Sequence, residues 1–334
     1  MSILAVTAGV TARPRILLKL QTAGIISLHM KLQNVLTTKQ FHDPKVLNEL
    51  FALAAKIEKQ EKSIVKKAPL QGKIMAALFY EPSTRTRFSF ETAMLKLGGE
   101  VVSTENAGEF SSAVKGETLQ DTIRIISGYV DAIVMRHSIE GSAKIASEIS
   151  TVPVINAGDG AGEHPTQALL DMYTIKKELG KIDGLTIAVA GDLLYGRASR
   201  SLIDLLSRYN NKIYLVSPDQ LKFPEGHKQL YGNGMKFEEY NNLKDVAAKV
   251  DVLYMTRIQK ERFASEAEYL KLKGSYILDK SIVSMMKKNS IIMHPLPRVD
   301  EINRDIDSDP RAAYFREARN GLYLRMALLH SILN

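Results

Sequence analysis

The 334-residue chain contains no cysteine and no tryptophan. Without cysteine there can be no disulfide, no thiolate nucleophile and no sulfur-ligated metal site. No uninterrupted apolar run approaches the roughly 18 residues that a membrane-spanning helix requires. Carboxylates do not cluster at metal-ligand spacing, and no strand is followed by GxGxxG, so neither a metal nor a dinucleotide cofactor is expected. Acidic residues are absent from positions 1–40, which carry Arg13, Arg15, Lys19, Lys31 and Lys39. The other 294 residues hold 40 basic and 37 acidic side chains, so most of the net charge of +8 sits in that leader. The nearly balanced body argues against a nucleic-acid surface.

Two readings of the leader stand side by side. It has the basic, acid-poor character of an organelle transit peptide, or else translation starts at Met30. Residues 1–32 are therefore set apart as an N-terminal extension, either targeting or disordered. The protein is expected in the cytoplasm, or in a plastid or other organelle if the extension is a transit peptide.

What is present is 45% hydrophobic residues, enough for one large or two medium cores. The chain is organised around Phe79-Tyr80-Glu81-Pro82-Ser83-Thr84-Arg85-Thr86-Arg87-Phe88. An apolar run, Ile74 to Phe79, reads as a buried strand before it. An amphipathic run closed by Gly98-Gly99 reads as a helix after it. With Ser83 at the N-cap, backbone amides, three hydroxyls and Arg85 converge on one point, which suits a phosphate. An ordinary capped helix with solvated arginines is the alternative, and the density of donors weighs against it.

Two series of alternating strands and helices follow. In the first, Ala132 to Met135 is a strand that ends in Arg136, either a second phosphate ligand at a sheet edge or a surface arginine. Val152 to Ala157 leads through the turn Gly158 to Gly162 to His164-Pro165-Thr166-Gln167 at the start of a helix that runs to Leu179. A lone histidine is more often structural, but one at a helix start beside a glycine turn carries more weight. In the second series, Ile187 to Ala190 leads to Arg197, Val252 to Met255 leads to Arg257 and Gln259, and Ile291 to Met293 leads to His294-Pro295-Leu296-Pro297-Arg298. Thr104 to Gly116 has no periodicity and reads as a surface loop, in which Ser111 and Lys115 would by themselves be unremarked solvated residues.

The fold class is thus α/β, with two doubly wound parallel-sheet domains and the active site in the cleft between them. The cleft lies where strand ends repeatedly carry cationic residues, and it suits a ligand with several negative charges, such as a phosphate together with a dicarboxylate. Chemistry there would rest on positioning and charge stabilisation.

Ser83-Thr84-Arg85-Thr86-Arg87 resembles the carbamoyl-phosphate signature of the carbamoyltransferase family. His164 to Gln167, Tyr254 to Arg262 and His294 to Arg298 resemble its aspartate branch. The resemblance runs from about residue 33 to the C-terminus. It departs from the family's GDLKYGRT at Leu194 and Ala198, which leaves Arg197 in place and bears on aspartate affinity. It implies transfer of a carbamoyl group from carbamoyl phosphate to L-aspartate, the committed step towards pyrimidines. The runner-up readings are a carbamoyltransferase for another amino acid and a non-catalytic paralogue.

The resemblance also implies residue roles. Ser83, Thr84, Arg85 and Thr86 would hold phosphate, with Arg136 shared between phosphate and carbonyl oxygen. Thr86, Arg136 and His164 would polarise that carbonyl. Gln167 and the backbone of Pro295 and Leu296 would fix the carbamoyl NH2. Arg197, Arg257 and Gln259 would take the aspartate carboxylates. Ser111 and Lys115 would reach the site of a neighbouring subunit, so a homotrimer with active sites shared across the subunit interface is implied. Residues 33–165, with the helix 320–334 packed back on them, would bind carbamoyl phosphate, and residues 166–319 aspartate. Glu105 to Phe110 resembles the loop of plant-type enzymes, which implies UMP as a feedback inhibitor in the carbamoyl-phosphate pocket. No cofactor, metal, nucleic acid or membrane is implied.

Overall fold

A computed structural model describes residues 32–107, 115–231, 235–260, 263, 265–272, 274 and 276–334. Nine strands form two parallel sheets among these residues. The first contains β1 (Ile74–Phe79), β2 (Glu100–Glu105), β3 (Ala132–His137) and β4 (Val154–Asp159) in the order β2-β1-β3-β4. The second contains β5 (Thr186–Ala190), β6 (Lys212–Val216), β7 (Lys236–Tyr240), β8 (Val252–Met255) and β9 (Ile291–Met293) in the order β7-β6-β5-β8-β9. Both orders reverse direction once, between β1 and β3 and between β5 and β8. At such a switch point the crossovers leave on opposite faces and open a crevice at the carboxyl edge.

Local sequence accounts for most of these elements. The Pro44–Lys59 helix starts where Asp43 accepts a hydrogen bond from the Lys45 N–H, and its buried stripe is Val46, Leu47, Leu50, Phe51, Leu53, Ala54 and Ile57. The lysine-rich stretch from Lys59 to Lys67 contains a second helix, Glu61–Lys67, whose sole buried residue is Ile64. A helix with so small an apolar face has almost no periodic signal. The strand β7 was also not anticipated: it is an edge strand, Lys-Phe-Glu-Glu-Tyr, with no fully buried residue. The C-terminal segment is one helix, Tyr314–Leu333.

Two long helices join the sheets. Pro165–Leu179 is buried from Pro165 through Ile175, and Tyr314–Leu333 packs against it as well as against Pro44–Lys59 and Thr84–Lys96. One continuous core therefore runs from Phe79 and Val134 in the first sheet, through Leu169, Met172 and Leu328, to Val189 and Tyr254 in the second. Separate apolar layers cover the other face of each sheet. With helices on both sides, the strands read as near-continuous apolar runs, as parallel sheets do. No described helix is long and apolar enough to cross a membrane.

Candidate functional site

Strand register brings the cationic strand ends together. Phe79 of β1 pairs with Arg136 of β3, and the Tyr80 N–H donates to the Arg136 carbonyl at 2.9 Å. The residues after β1 thus lie beside the Arg136 side chain. In the second sheet Ala190 pairs with Met255, and the Thr256 N–H donates to Ala190 at 2.7 Å. Gly191 approaches Thr256 so closely that a Cβ there would lie 2.1 Å from the Thr256 carbonyl oxygen, at a φ of 114° that favours glycine.

Between the two carboxyl edges lies a cleft of about 710 Å³. Ser83, Thr84, Arg85, Thr86, Arg136, His164, Gln167, Arg197, Arg257, Gln259, Pro295 and Leu296 all line it. Of the remaining expected residues, Lys115 is exposed and does not line this cleft, and Ser111 lies outside the described residues. Both were expected to serve a neighbouring subunit. The second arginine of the phosphate signature does not take part. Arg87 pairs with Glu105 at 3.1 Å, because two residues along a helix turn a side chain by about 200° away from Arg85.

The Thr84–Lys96 helix begins at Ser83, whose hydroxyl makes no capping bond to it. The positive helix end and the Ser83, Thr84 and Thr86 hydroxyls therefore border the cleft together. Opposed cations raise its potential further. Burial, then Arg257 across the cleft, lowers the proton affinity of Arg85. Arg136 is pulled down to about 10, first by burial and then by Arg197, against the opposing pull of Glu81. A Cβ on Gly158 (φ 115°) would sit 3.0 Å from Arg197 Nη2 and 3.3 Å from Arg136 Nη1, so only glycine lets both guanidinium groups occupy one corner. His164 is 6% exposed, and burial followed by Arg197, Arg136 and Arg325 holds it well below the usual histidine range. It is neutral at pH 7.

Several residues that line or support the cleft carry no strong signal in the sequence. Glu81 Oε2 lies 3.4 Å from Arg136 Nε and 3.9 Å from Arg197 Nη2, bridging the two sheets. It follows β1 directly, so the strand-end logic that selected Arg136 also reaches it. Asp192, fully buried, accepts from the Tyr195 N–H at 2.9 Å and lies 3.5 Å from Gln259 Nε2, which sets the Gln259 side chain. His294 accepts from the Leu296 N–H at Nδ1 (2.8 Å) and donates from Nε2 to Glu301 (2.7 Å). These two bonds make it a structural brace for the Pro295-Leu296 segment, with Leu296 at φ 54°. Arg325, on the last helix, donates to Ser89 at 2.9 Å and lies 5.0 Å from the Phe90 ring centre. Its signal in the sequence was an arginine amid apolar residues of a core helix.

Chemically, the site offers a helix N-terminus, three hydroxyls, several guanidinium groups and a neutral imidazole around one cleft. It is built to gather anions and to polarise a carbonyl between them.

Residues 33–177 match the model described as aspartate/ornithine carbamoyltransferase, carbamoyl-P binding domain. Residues 183–332 match the one described as aspartate/ornithine carbamoyltransferase, Asp/Orn binding domain. The chain is 55% identical over 306 residues to the chloroplastic aspartate carbamoyltransferase of Arabidopsis thaliana, covering 91% of this chain and 78% of that one. It is 49% identical to the catalytic subunit of M. jannaschii aspartate transcarbamoylase, with a TM-score of 0.82 over 90% of this chain and 98% of that one. Aspartate transcarbamoylase from Trypanosoma cruzi, in complex with carbamoyl phosphate and aspartate, matches with a TM-score of 0.84 at 42% identity, over 90% and 97% of the two chains.

Proposed function

Because the chain belongs to the aspartate/ornithine carbamoyltransferase family, we propose that its cleft transfers the carbamoyl group of carbamoyl phosphate to L-aspartate, giving N-carbamoyl-L-aspartate and phosphate. This is the committed step of de novo pyrimidine synthesis. The observation that carries the reading is the gathering of Arg85 and Arg136 from the first sheet with Arg197 and Arg257 from the second around one volume. Two anionic ligands, a phosphate at the helix start and a dicarboxylate opposite, match that distribution of charge.

In this reading residues 33–165 bind carbamoyl phosphate and residues 166–319 bind aspartate. Ser83, Thr84, Arg85 and Thr86 hold the phosphate. Thr86, Arg136 and His164 donate to the carbonyl oxygen, and their donors are in place before charge develops on it. His164 is neutral, so it acts as a hydrogen-bond donor and orienter. Gln167 and the carbonyls of Pro295 and Leu296 receive the carbamoyl NH2. Arg197 and Arg257, with Gln259, receive the aspartate carboxylates. The neutral amine of aspartate attacks the carbonyl carbon, an N–C bond forms, the C–O bond to phosphate breaks, and the amine proton passes to the departing phosphate.

Lys115 is exposed and absent from its own cleft, which suits a residue contributed to a neighbour in a homotrimer. Mixing Lys115→Ala subunits with Arg136→Ala subunits then restores part of the activity that neither variant has alone. UMP, with its phosphate on Ser83 to Thr86, is proposed as a competitive inhibitor. Inhibition that disappears at saturating carbamoyl phosphate checks it. The acid-free leader and the chloroplastic name of the Arabidopsis relative favour a plastid over the cytoplasm. Fusion of residues 1–40 to a fluorescent protein tests this. The reaction itself is tested by assaying the purified chain for carbamoylation of aspartate against ornithine. Activity on aspartate alone is expected, and a preference for ornithine refutes the assignment.

A further inference from the structure

At the floor of the cleft are two carboxyl groups that the transfer step does not use, Glu317 among the lining residues and Asp171 behind it. Asp171, on the Pro165–Leu179 helix, is 0% exposed, and Glu317, on the Tyr314–Leu333 helix, is 1% exposed. The two are within hydrogen-bonding reach of each other. Every other contact around them has a donor. Asp171 Oδ1 accepts from Gln167 Nε2 at 2.8 Å, and Oδ2 accepts from the Tyr254 hydroxyl at 2.8 Å. Glu317 Oε2 accepts from the His294 N–H at 2.9 Å. Glu317 Oε1 alone is buried with no N–H or O–H donor. Two carboxylates so close and so dry cannot both be ionised, and the proton of a carboxylic acid is what satisfies the remaining oxygen.

We propose that Asp171 and Glu317 share one proton, and that the pair fixes Gln167 with its amide oxygen towards the cleft, so that the pocket selects an acyl phosphate bearing an NH2 group. Gln167 Nε2 is spent on Asp171, leaving Oε1 as the atom offered to the cleft. An acceptor there suits an NH2 and does nothing for a methyl group of the same size. The same pair holds the other acceptors, because Glu317 anchors the backbone of His294, and His294 Nδ1 in turn holds the Leu296 N–H. Loss of the proton would place two negative charges in one dry site and release both arms.

The groups that face the pair are few. Arg325, on the same helix as Glu317, favours the ionised form of Asp171. Tyr254 from β8 and Gln167 from Asp171's own helix donate to it, and the loop after β9 contributes only the His294 backbone N–H. Burial dominates over these and pushes Asp171 up to about 7 and Glu317 well above the carboxylate range. The proton is therefore held at neutral pH and lost on the alkaline side.

The inference rests on the carbamoyl-transfer reading and has a test that separates from it. Infrared difference spectra of the wild-type protein at pH 7 should show a protonated-carboxyl band that Glu317→Gln removes. No such band in the wild type overturns the proposal, whatever the activity. In the kinetic arm, Asp171→Asn, whose amide can present an NH2 to Gln167 and let it turn over, should raise the KM for carbamoyl phosphate about tenfold. The inhibition constant of acetyl phosphate, which has CH3 where carbamoyl phosphate has NH2, should move less than twofold. Equal rises for both compounds would make Asp171 a general structural residue and refute the selectivity argument. Should Asp171→Asn fail to fold, the pH dependence decides. The wild-type KM for carbamoyl phosphate rises on the alkaline side and that of Glu317→Gln does not; identical profiles refute it. A protein that shows the band yet does not carbamoylate aspartate overturns the reaction assigned above and leaves the shared proton standing.

Discussion

Arg136→Ala should affect catalysis and stability in opposite directions. The guanidinium group is largely buried beside Arg197 and Arg85, with Glu81 as its opposing charge. Its proton affinity drops to about 10, first through burial. At about 1.4 kcal/mol per decade, that is about 3 kcal/mol of unfavourable burial and repulsion at this side chain. Truncation removes that cost but also removes the packing of the side-chain stem, a loss of about 1 to 2 kcal/mol for an aliphatic portion of that size. The net expectation is a melting temperature that stays level or rises slightly. Catalysis moves the other way, because a preorganised donor to the developing oxyanion contributes about 100- to 1000-fold to turnover. The assays are the initial rate of carbamoyl-aspartate formation at saturating substrates and thermal melting with and without phosphate. Phosphate should raise the melting temperature of both proteins, because Ser83, Thr84, Arg85 and Thr86 remain in the variant, and by less in the variant, whose cleft has lost one cation. His164→Ala, which removes a neutral donor, should lower turnover less than Arg136→Ala does. A protein in which His164→Ala is the more damaging, or in which Arg136→Ala melts like a core truncation with normal turnover, would refute this account of the cleft.

Three further outcomes are expected. Gly158→Ala places a Cβ 3.0 Å from Arg197 and 3.3 Å from Arg136 at a φ of 115°, so both guanidinium groups shift and kcat/KM falls at least tenfold, measured with both substrates varied. Arg257→Ala should raise the KM for aspartate about 30- to 150-fold, the size of one charge-assisted hydrogen-bond pair, with a smaller change for carbamoyl phosphate. His164 is held neutral in the fold, mainly by burial, while in the unfolded chain it takes up a proton near pH 6.5. The unfolded state then binds more protons below that value, so stability is complete above it and falls by about 1.4 kcal/mol per pH unit as the pH drops further. Urea unfolding between pH 7 and pH 5 should show a shallower decline in His164→Gln than in the wild type.

The sequence alone determined the elements whose signal is local. Apolar runs located β1, β8 and β9 to the residue, and the glycine stop and the Ser83 start bounded the first phosphate-facing helix. Strand-end reasoning selected Arg85, Arg136, His164, Arg197, Arg257 and Gln259, and these do meet in one cleft. That logic works because a parallel strand delivers whatever follows it to the carboxyl edge, wherever the strand lies in the sheet. Weakly amphipathic elements stayed invisible: Glu61–Lys67 has one buried residue and β7 has none. Only the tertiary structure decided which charges become neighbours. The placement of β3 beside β1 and of β8 beside β5 brings Glu81 between Arg136 and Arg197, and removes Arg87 to Glu105 on the far side of its helix. The return of the last helix sets Glu317 against Asp171, 146 positions earlier in the chain, and buries Arg325 behind the phosphate-facing helix. Periodicity reports which face of an element is buried, but the partner on the other side of that face is chosen by strand order and helix packing, and neither is written in any local stretch of residues.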